Sequence, residues 1–152
     1  MCLGSKPTAP LVWPTTPEPL SVPKQDMTDR HPLRHAEALL LVAIGGLVGA
    51  NARYLLSLAL PGLGGTFLAN VTGSALLGFV LYEATGTGLL AAETRLVVAT
   101  GFLSSYTTYS TFALETIQAT PLLGLTNVLA SYALGFGAVY VGGYAAGLLE
   151  ER

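Results

Sequence analysis

The chain has 152 residues, of which 51% are hydrophobic and only 11% are charged, and its formal net charge is −2. Soluble domains carry about 25% charged residues, so this composition argues against a water-soluble fold. The lack of a basic excess argues against nucleic-acid binding. The single cysteine, Cys2, excludes an intramolecular disulfide and a cysteine-rich metal site.

Charge and proline divide the chain into unequal parts. Residues 1–37 hold eight of the sixteen charged side chains and seven of the nine prolines, a composition typical of a disordered tail. Residues 38–149 form the predicted transmembrane domain, and residues 150–152 are a short C-terminal tail. Within residues 38–149 the only charged side chains are those of Arg53, Glu83, Glu93, Arg95 and Glu115.

Four apolar stretches follow in chain order, and each is about long enough to cross the hydrocarbon core of a bilayer. They cover residues 38–60, 66–82, 96–119 and 122–149. Short links containing Pro61 and Pro121 separate the first stretch from the second and the third from the fourth. The sequence therefore predicts an all-α, multi-pass protein with four transmembrane helices, embedded in a lipid bilayer.

The first two predicted spans are rich in glycine. Gly45 and Gly49 form a GxxxG pair in the first span, and Gly73 and Gly78 lie in the second. Small residues let helix backbones approach closely in lipid. We interpret these glycines as packing positions, and their number favours a homo-oligomer.

The second span carries a polar stripe. Thr66, Asn70, Ser74 and Gly78 follow one another at intervals of four residues, which places them on one helix face. Hydroxyl and amide groups of this kind carry no formal charge and would suit a weakly dehydrating path for an anion. They would equally suit hydrogen bonding between helices, and the stripe alone leaves both interpretations open.

The third span contains eight consecutive hydroxyl side chains, at residues 104–111. Hydroxyls compete for backbone hydrogen bonds, so this run predicts a break in the helix. Carbonyl groups released at such a break are hard oxygen ligands that suit a cation such as Na⁺. Tyr109 and Phe112 share one face beyond the run, and Glu115 follows them.

The fourth span repeats the four-residue spacing with Asn127, Ser131 and Gly135. Its neighbouring aromatic stripe consists of Tyr132, Phe136, Tyr140 and Tyr144. In the first span, Arg53 is either a snorkelling arginine near the membrane boundary or an electropositive group at the mouth of an anion path.

Three segments resemble motifs of the Fluc (CrcB-type) fluoride channels. Residues 45–54 read GGLVGANARY, residues 65–74 read GTFLANVTGS, and residues 101–112 read GFLSSYTTYSTF. They occur in the order and at the spacing of the family's first three helices. The resemblance covers residues 39–149, and the tail has no counterpart in it.

The resemblance implies a fluoride-selective channel that lowers cytoplasmic fluoride by passive efflux. The expected assembly is an antiparallel, dual-topology homodimer in the inner (plasma) membrane, with the third helix broken in mid-membrane. A structural Na⁺ would lie at the centre of the dimer interface, held by the backbone carbonyls of Ser104 and Thr107.

Further roles are implied residue by residue. The fluoride pathway would be lined by Thr66, Asn70, Tyr109, Ser110, Thr111, Phe112 and Ser131. Arg53 and Glu115 would form a vestibule. The chain departs from the family pattern at Tyr109, where phenylalanine is usual, and at Ser104-Ser105, where a glycine pair is usual. An aromatic ring has a positive edge, so Tyr109 retains that property.

Two other functions fit the sequence less well. A proton-coupled multidrug exporter of the small four-helix kind needs a titratable carboxylate in mid-membrane, and Glu115 is the only acid within a predicted span. A noncatalytic assembly subunit would explain the glycines but leaves the hydroxyl run unexplained. The sequence offers no nucleophile–base pair or metal-hydrolase cluster, so an enzyme is not expected.

The basic residues bear on the membrane topology. Lys24, Arg30, Arg34, Arg95 and Arg152 would all lie on the side of the termini. The positive-inside rule then predicts cytoplasmic termini, whereas dual topology requires a near balance of these charges. The sequence leaves this point open.

Overall fold

The structure is a computed structural model that describes residues 32–86, 88 and 90–150, with only the backbone given for residues 32–34 and 150. Most of the predicted disordered tail and residues 151–152 lie outside the described residues. The regular elements of the described part of the chain are all helices. Its helices are α1 (Pro32–Ala59), α2 (Leu63–Thr85), α3 (Ala92–Arg95), a π-helix (Leu96–Leu103), α4 (Ser104–Tyr106), α5 (Tyr109–Gln118) and α6 (Pro121–Glu150).

Three helices of the described residues are long and apolar enough to cross a membrane. The segments that qualify are His35–Ala59, Leu63–Thr85 and Pro121–Leu149. They correspond to the first, second and fourth predicted spans. Glycine and proline separate α1 from α2, because Pro61 lies in the turn and Gly62 has a φ of 71°.

The region of the third predicted span is a series of shorter helical pieces between Ala92 and Gln118. It begins four residues earlier than predicted, and its middle is a π-helix, a form common at functional sites. Thr107 and Thr108 then leave the helical conformation, with ψ angles of 157° and 126°. The interruption lies within the run of eight hydroxyl residues.

Two helix pairs pack through glycine. α1 lies against the π-helix, where a Cβ atom at Gly45 would strike the Val97 carbonyl and one at Gly49 would strike the Phe102 carbonyl. α2 lies against α6, where a Cβ atom at Gly78 would strike the Val139 carbonyl. The packing role predicted for these glycines is confirmed.

Large apolar side chains point outward from this fold. Among the described residues, the buried apolar side chains are those of Ala69, Val80, Leu103, Phe112 and Ala146. Tyr140 is 85% exposed and Ile117 is 79% exposed. Apolar surface of this extent on long helices is what a bilayer accommodates. The protein is therefore a multi-pass helical membrane protein.

Glu83 lies within the last turns of α2, although the predicted second span ends at residue 82. It is only 2% exposed. Its Oε1 accepts a 2.6 Å hydrogen bond from the Leu90 N–H, and its Oε2 lies 3.4 Å from Arg95 Nε. Arg95 also donates to the Leu90 carbonyl. These contacts join the end of α2 to α3 and fix the connection between them.

Candidate ion-permeation site

Asn70 binds the chain where the helix is interrupted. Its Nδ2 donates to the Thr108 carbonyl at 3.0 Å, and its Oδ1 accepts the Thr108 N–H at 2.8 Å. Both peptide groups of an extended residue are thus satisfied by one side chain from α2, as buried backbone requires. Asn70 holds the start of α5 in place.

Thr108 also begins α5 as its N-cap. Its side-chain oxygen accepts the Thr111 N–H at 3.3 Å, and its hydroxyl donates to Thr111 Oγ1 at 3.2 Å. Threonine at this position satisfies one of the free N–H groups of the first turn. The hydroxyl run therefore supplies a helix start as well as an interruption.

The carbonyls of Ser104 and Thr107 lose their usual helical donors at the interruption. In a continuous α-helix they would accept the N–H groups of Thr108 and Thr111. Those two N–H groups donate instead to Asn70 and to the Thr108 side chain. The site thus offers two backbone oxygens that the helix itself does not use, which is the donor chemistry that a hard cation needs.

A cavity of about 260 Å³ lies between α2, α5 and α6. Its walls combine amide and hydroxyl groups with aromatic rings. The lining residues are Asn70, Ser74, Tyr109, Phe112, Ser131, Tyr132, Gly135, Phe136 and Val139. We call it the aromatic cavity. Four of the predicted pathway residues meet there: Asn70, Tyr109, Phe112 and Ser131.

The rings of the aromatic cavity form a connected series. The centroids of Tyr109 and Phe112 are 5.9 Å apart, and Phe112 meets Tyr132 edge to face at 6.5 Å and 87°. Tyr132 and Phe136 follow at 6.4 Å. Phe112 is 8% exposed, whereas Tyr109 is 73% exposed. The two residues predicted as a pair therefore differ greatly in burial within one chain.

A second cavity, also of about 260 Å³, lies between α1, the α1–α2 turn and α5. We call it the charged cavity. Its lining residues are Ala50, Arg53, Tyr54, Ser57, Gly62, Gly65, Thr66, Thr108, Thr111 and Glu115. It brings together the two predicted vestibule residues, Arg53 and Glu115, with the predicted pathway residues Thr66 and Thr111.

The remaining predicted residues surround the interruption. The exposed Ser110 has its hydroxyl 3.4 Å from Thr108 Oγ1. The hydroxyls of Ser104 and Thr107 donate back to carbonyls one turn earlier in the chain, so those side chains are engaged locally. Thr107 also lies against Gly73 of α2.

Sequence reasoning missed the part played by Thr108. It gave roles to several members of the hydroxyl run but none to Thr108, although Thr108 lines the charged cavity and exchanges two hydrogen bonds with Asn70. A threonine just before a helix can act as its N-cap by accepting the N–H of the residue three positions later. Thr108 and Thr111 have this spacing in the sequence.

The fold and these cavities define a class of protein: a multi-pass helical membrane protein with small polar and aromatic cavities beside an interrupted helix. Residues 40–143 match the family described as CrcB-like protein, Camphor Resistance (CrcB). The chain belongs to this family.

Named relatives support the same membership. The chain is 53% identical over 116 residues to the fluoride-specific ion channel FluC 1 of Haloarcula marismortui, covering 76% of this chain and 91% of that protein. It is 52% identical over 106 residues to FluC 1 of Natronomonas pharaonis, covering 68% and 89%. It is 47% identical over 113 residues to FluC 2 of Halobacterium salinarum, covering 73% and 88%. These relatives are ion channels and not enzymes.

Proposed function

We propose that the protein is a fluoride channel that lets fluoride leave the cytoplasm passively. The observation that carries the proposal is the aromatic cavity, in which Asn70, Ser131 and Phe112 line one space in a chain of the CrcB family. The relatives named above are fluoride-specific channels. The structure adds a chemical reason for this activity.

A small, hard anion must lose water to pass through a membrane, and the walls must replace that water without trapping the ion. The Asn70 amide uses one of its two N–H groups on Thr108, which leaves the other for the cavity. Ring edges carry partial positive charge. Residues 66–82 and 96–149 contain no lysine or arginine, so the walls lack the full positive charge that would hold the ion too strongly.

The charged cavity would serve as the vestibule. Arg53 supplies positive charge that attracts anions, while the hydroxyls of Thr66 and Thr111 continue the polar wall. Glu115 Oε2 is buried and has no hydrogen-bond partner among the described residues. A carboxylate in this state benefits from a nearby hydroxyl or water, so Glu115 would keep the vestibule hydrated.

The finer assembly is part of the same proposal. Residues 92–118 form the broken third span, and two copies associate antiparallel in the inner membrane. The exposure of Tyr109, at 73%, supports a second subunit because this ring borders the aromatic cavity yet faces outward from one chain. A Na⁺ at the dimer centre would be held by the carbonyls of Ser104 and Thr107, where it would supply positive charge and stabilise the interruption.

Fluoride efflux from liposomes that contain the purified protein tests the activity. With Na⁺ present, we expect fluoride efflux well above that of empty liposomes and no comparable chloride efflux. Fluoride efflux equal to that of empty liposomes would refute the proposal.

Phe112→Ile tests the aromatic cavity. The substitution removes the ring edge at an 8% exposed position, so fluoride efflux should be abolished while the dimer stays intact by size-exclusion chromatography. Phe79→Ile in α2 is the matched control and should conduct normally. Unchanged efflux in Phe112→Ile would remove this residue from the pathway.

The accessibility of tags at both termini tests the topology. Labelling from both sides of the membrane is expected for an antiparallel dimer. Termini that are accessible only from the cytoplasm would contradict dual topology and leave a parallel arrangement.

A further inference from the structure

A second asparagine, Asn127 of α6, binds α5 at the end opposite to Asn70. Its Nδ2 donates to Thr116 Oγ1 at 2.8 Å, and the Thr116 hydroxyl donates to the Phe112 carbonyl at 2.6 Å. Its Oδ1 accepts the hydroxyl of Ser131 at 3.5 Å. One amide therefore joins the helical turn that carries Phe112 to Ser131 on the opposite wall of the aromatic cavity.

The position of α5 depends on contacts of this kind. The helix has only ten residues, and an isolated helix of that length is marginal. It follows the extended residues Thr107 and Thr108, and α6 begins three residues after its end. The rotation of α5 about its axis must therefore be set by its neighbours.

α5 and α6 approach each other closely where Asn127 acts. A Cβ atom at Gly124, one turn before Asn127, would lie 2.8 Å from the Thr116 carbonyl. This contact brings the two backbones together, but Gly124 has no side chain to form a directed hydrogen bond, so the contact gives little control of rotation. The hydrogen bond from Asn127 supplies a direction, because the single proton of the Thr116 hydroxyl is donated to Phe112 and its oxygen is left to accept.

We propose that Asn127 is a positioning residue for fluoride conduction, which deepens the function proposed above and rests on it. Through Thr116 it sets the rotation of α5, and hence the direction in which the Phe112 ring edge faces. Through its carbonyl it holds the Ser131 hydroxyl at the limit of hydrogen-bond distance. A passing anion can therefore replace the Asn127 carbonyl as the acceptor of the Ser131 hydrogen bond at little cost.

Variants of Thr116 test the positioning role without altering a predicted pathway residue. Thr116→Val keeps the shape and removes the hydroxyl, whereas Thr116→Ser keeps the hydroxyl. We expect Thr116→Val to lower fluoride efflux about three- to twentyfold, the factor that corresponds to one hydrogen bond between membrane helices. Thr116→Ser should restore efflux. Thr126→Val is the matched control, because the exposed Thr126 donates only to Leu122 of its own helix among the described residues.

A double-variant cycle tests whether Asn127 acts through Thr116. Asn127→Leu should lower efflux at least as much as Thr116→Val, and adding Thr116→Val to Asn127→Leu should lower it no further. Losses that multiply in the double variant would overturn the proposal, as would equal efflux from the Val and Ser variants of Thr116. If Asn127→Leu does not fold, that Val and Ser comparison decides the question.

The outcomes also separate this inference from the proposed function. If the unmodified protein conducts no fluoride, the proposed function fails and takes this inference with it. If the unmodified protein conducts fluoride, and Asn127→Leu and Thr116→Val each conduct it as fast as the unmodified protein does, only the positioning role is wrong.

Discussion

Replacing Asn70 with leucine would disconnect α2 from the interruption before α5. Leucine has nearly the same size as asparagine but neither donates nor accepts. The Thr108 carbonyl would lose a 3.0 Å bond and the Thr108 N–H a 2.8 Å bond. Thr108 is extended and has no helical partner to replace them, so both peptide groups would need water or another side chain.

The expected cost follows from these two bonds. Hydrogen bonds between membrane helices contribute about 0.6 kcal/mol on average and about 1.7 kcal/mol at most. Two of them give about 1 to 3 kcal/mol, which shifts the equilibrium between clamped and released α5 by about 5- to 150-fold. Because Asn70 and Phe112 line the same cavity, fluoride efflux should also fall when the two hydrogen bonds between Asn70 and Thr108 are lost.

Two assays check this prediction, namely the unfolding free energy in detergent and fluoride efflux from liposomes. Asn51→Leu is the matched control, since the Asn51 amide donates to Leu47 of its own helix and the residue is exposed. It should change the unfolding free energy by less than Asn70→Leu does. If the two variants had equal stability and conducted equally, Asn70 would not clamp α5 and the reasoning would be wrong.

Two further predictions concern packing and the α2–α3 connection. Gly142→Ala should lower the unfolding free energy by about 1–3 kcal/mol, because the new Cβ atom would strike the Ala75 carbonyl. Gly137→Ala is the control in the same unfolding assay. It should be neutral or stabilising, because Gly137 has open space around it. Arg95→Met should lower the unfolding free energy by about 1–3 kcal/mol, because the buried Glu83 loses a cation 3.4 Å away. Thermal unfolding in detergent at neutral pH measures this change. An unchanged unfolding midpoint would contradict the structural role of the Glu83–Arg95 pair.

Local patterns in the sequence were enough to predict much of the fold. Apolar length identified α1, α2 and α6, and the spacing of Gly45 and Gly49 predicted a close helix contact. These features depend on residues near one another in the chain, so periodicity reports them directly. The eight hydroxyls likewise indicated where the helical conformation would be lost.

Long-range partners could not be predicted in the same way. The sequence left Asn70 open between lining an anion path and bonding a neighbouring helix; the structure shows that it bonds to Thr108, before α5, and also lines the aromatic cavity. The predicted second span ended just before the charged Glu83, yet Glu83 belongs to α2 and is buried beside Arg95. In each case the deciding partner lies on another element.

The sequence by itself determined that this is a multi-pass helical membrane protein with polar side chains at regular intervals in a nearly uncharged body, because apolar length and charge are properties of the chain. Only the tertiary structure decided how these polar side chains are grouped. It placed four predicted pathway residues around the aromatic cavity and Arg53, Thr66, Thr111 and Glu115 around the charged cavity, and it showed hydrogen bonds from Asn70 and Asn127 at the two ends of α5. A ten-residue helix has no fixed orientation of its own, so we expect side chains from α2 and α6 to set the direction of Phe112.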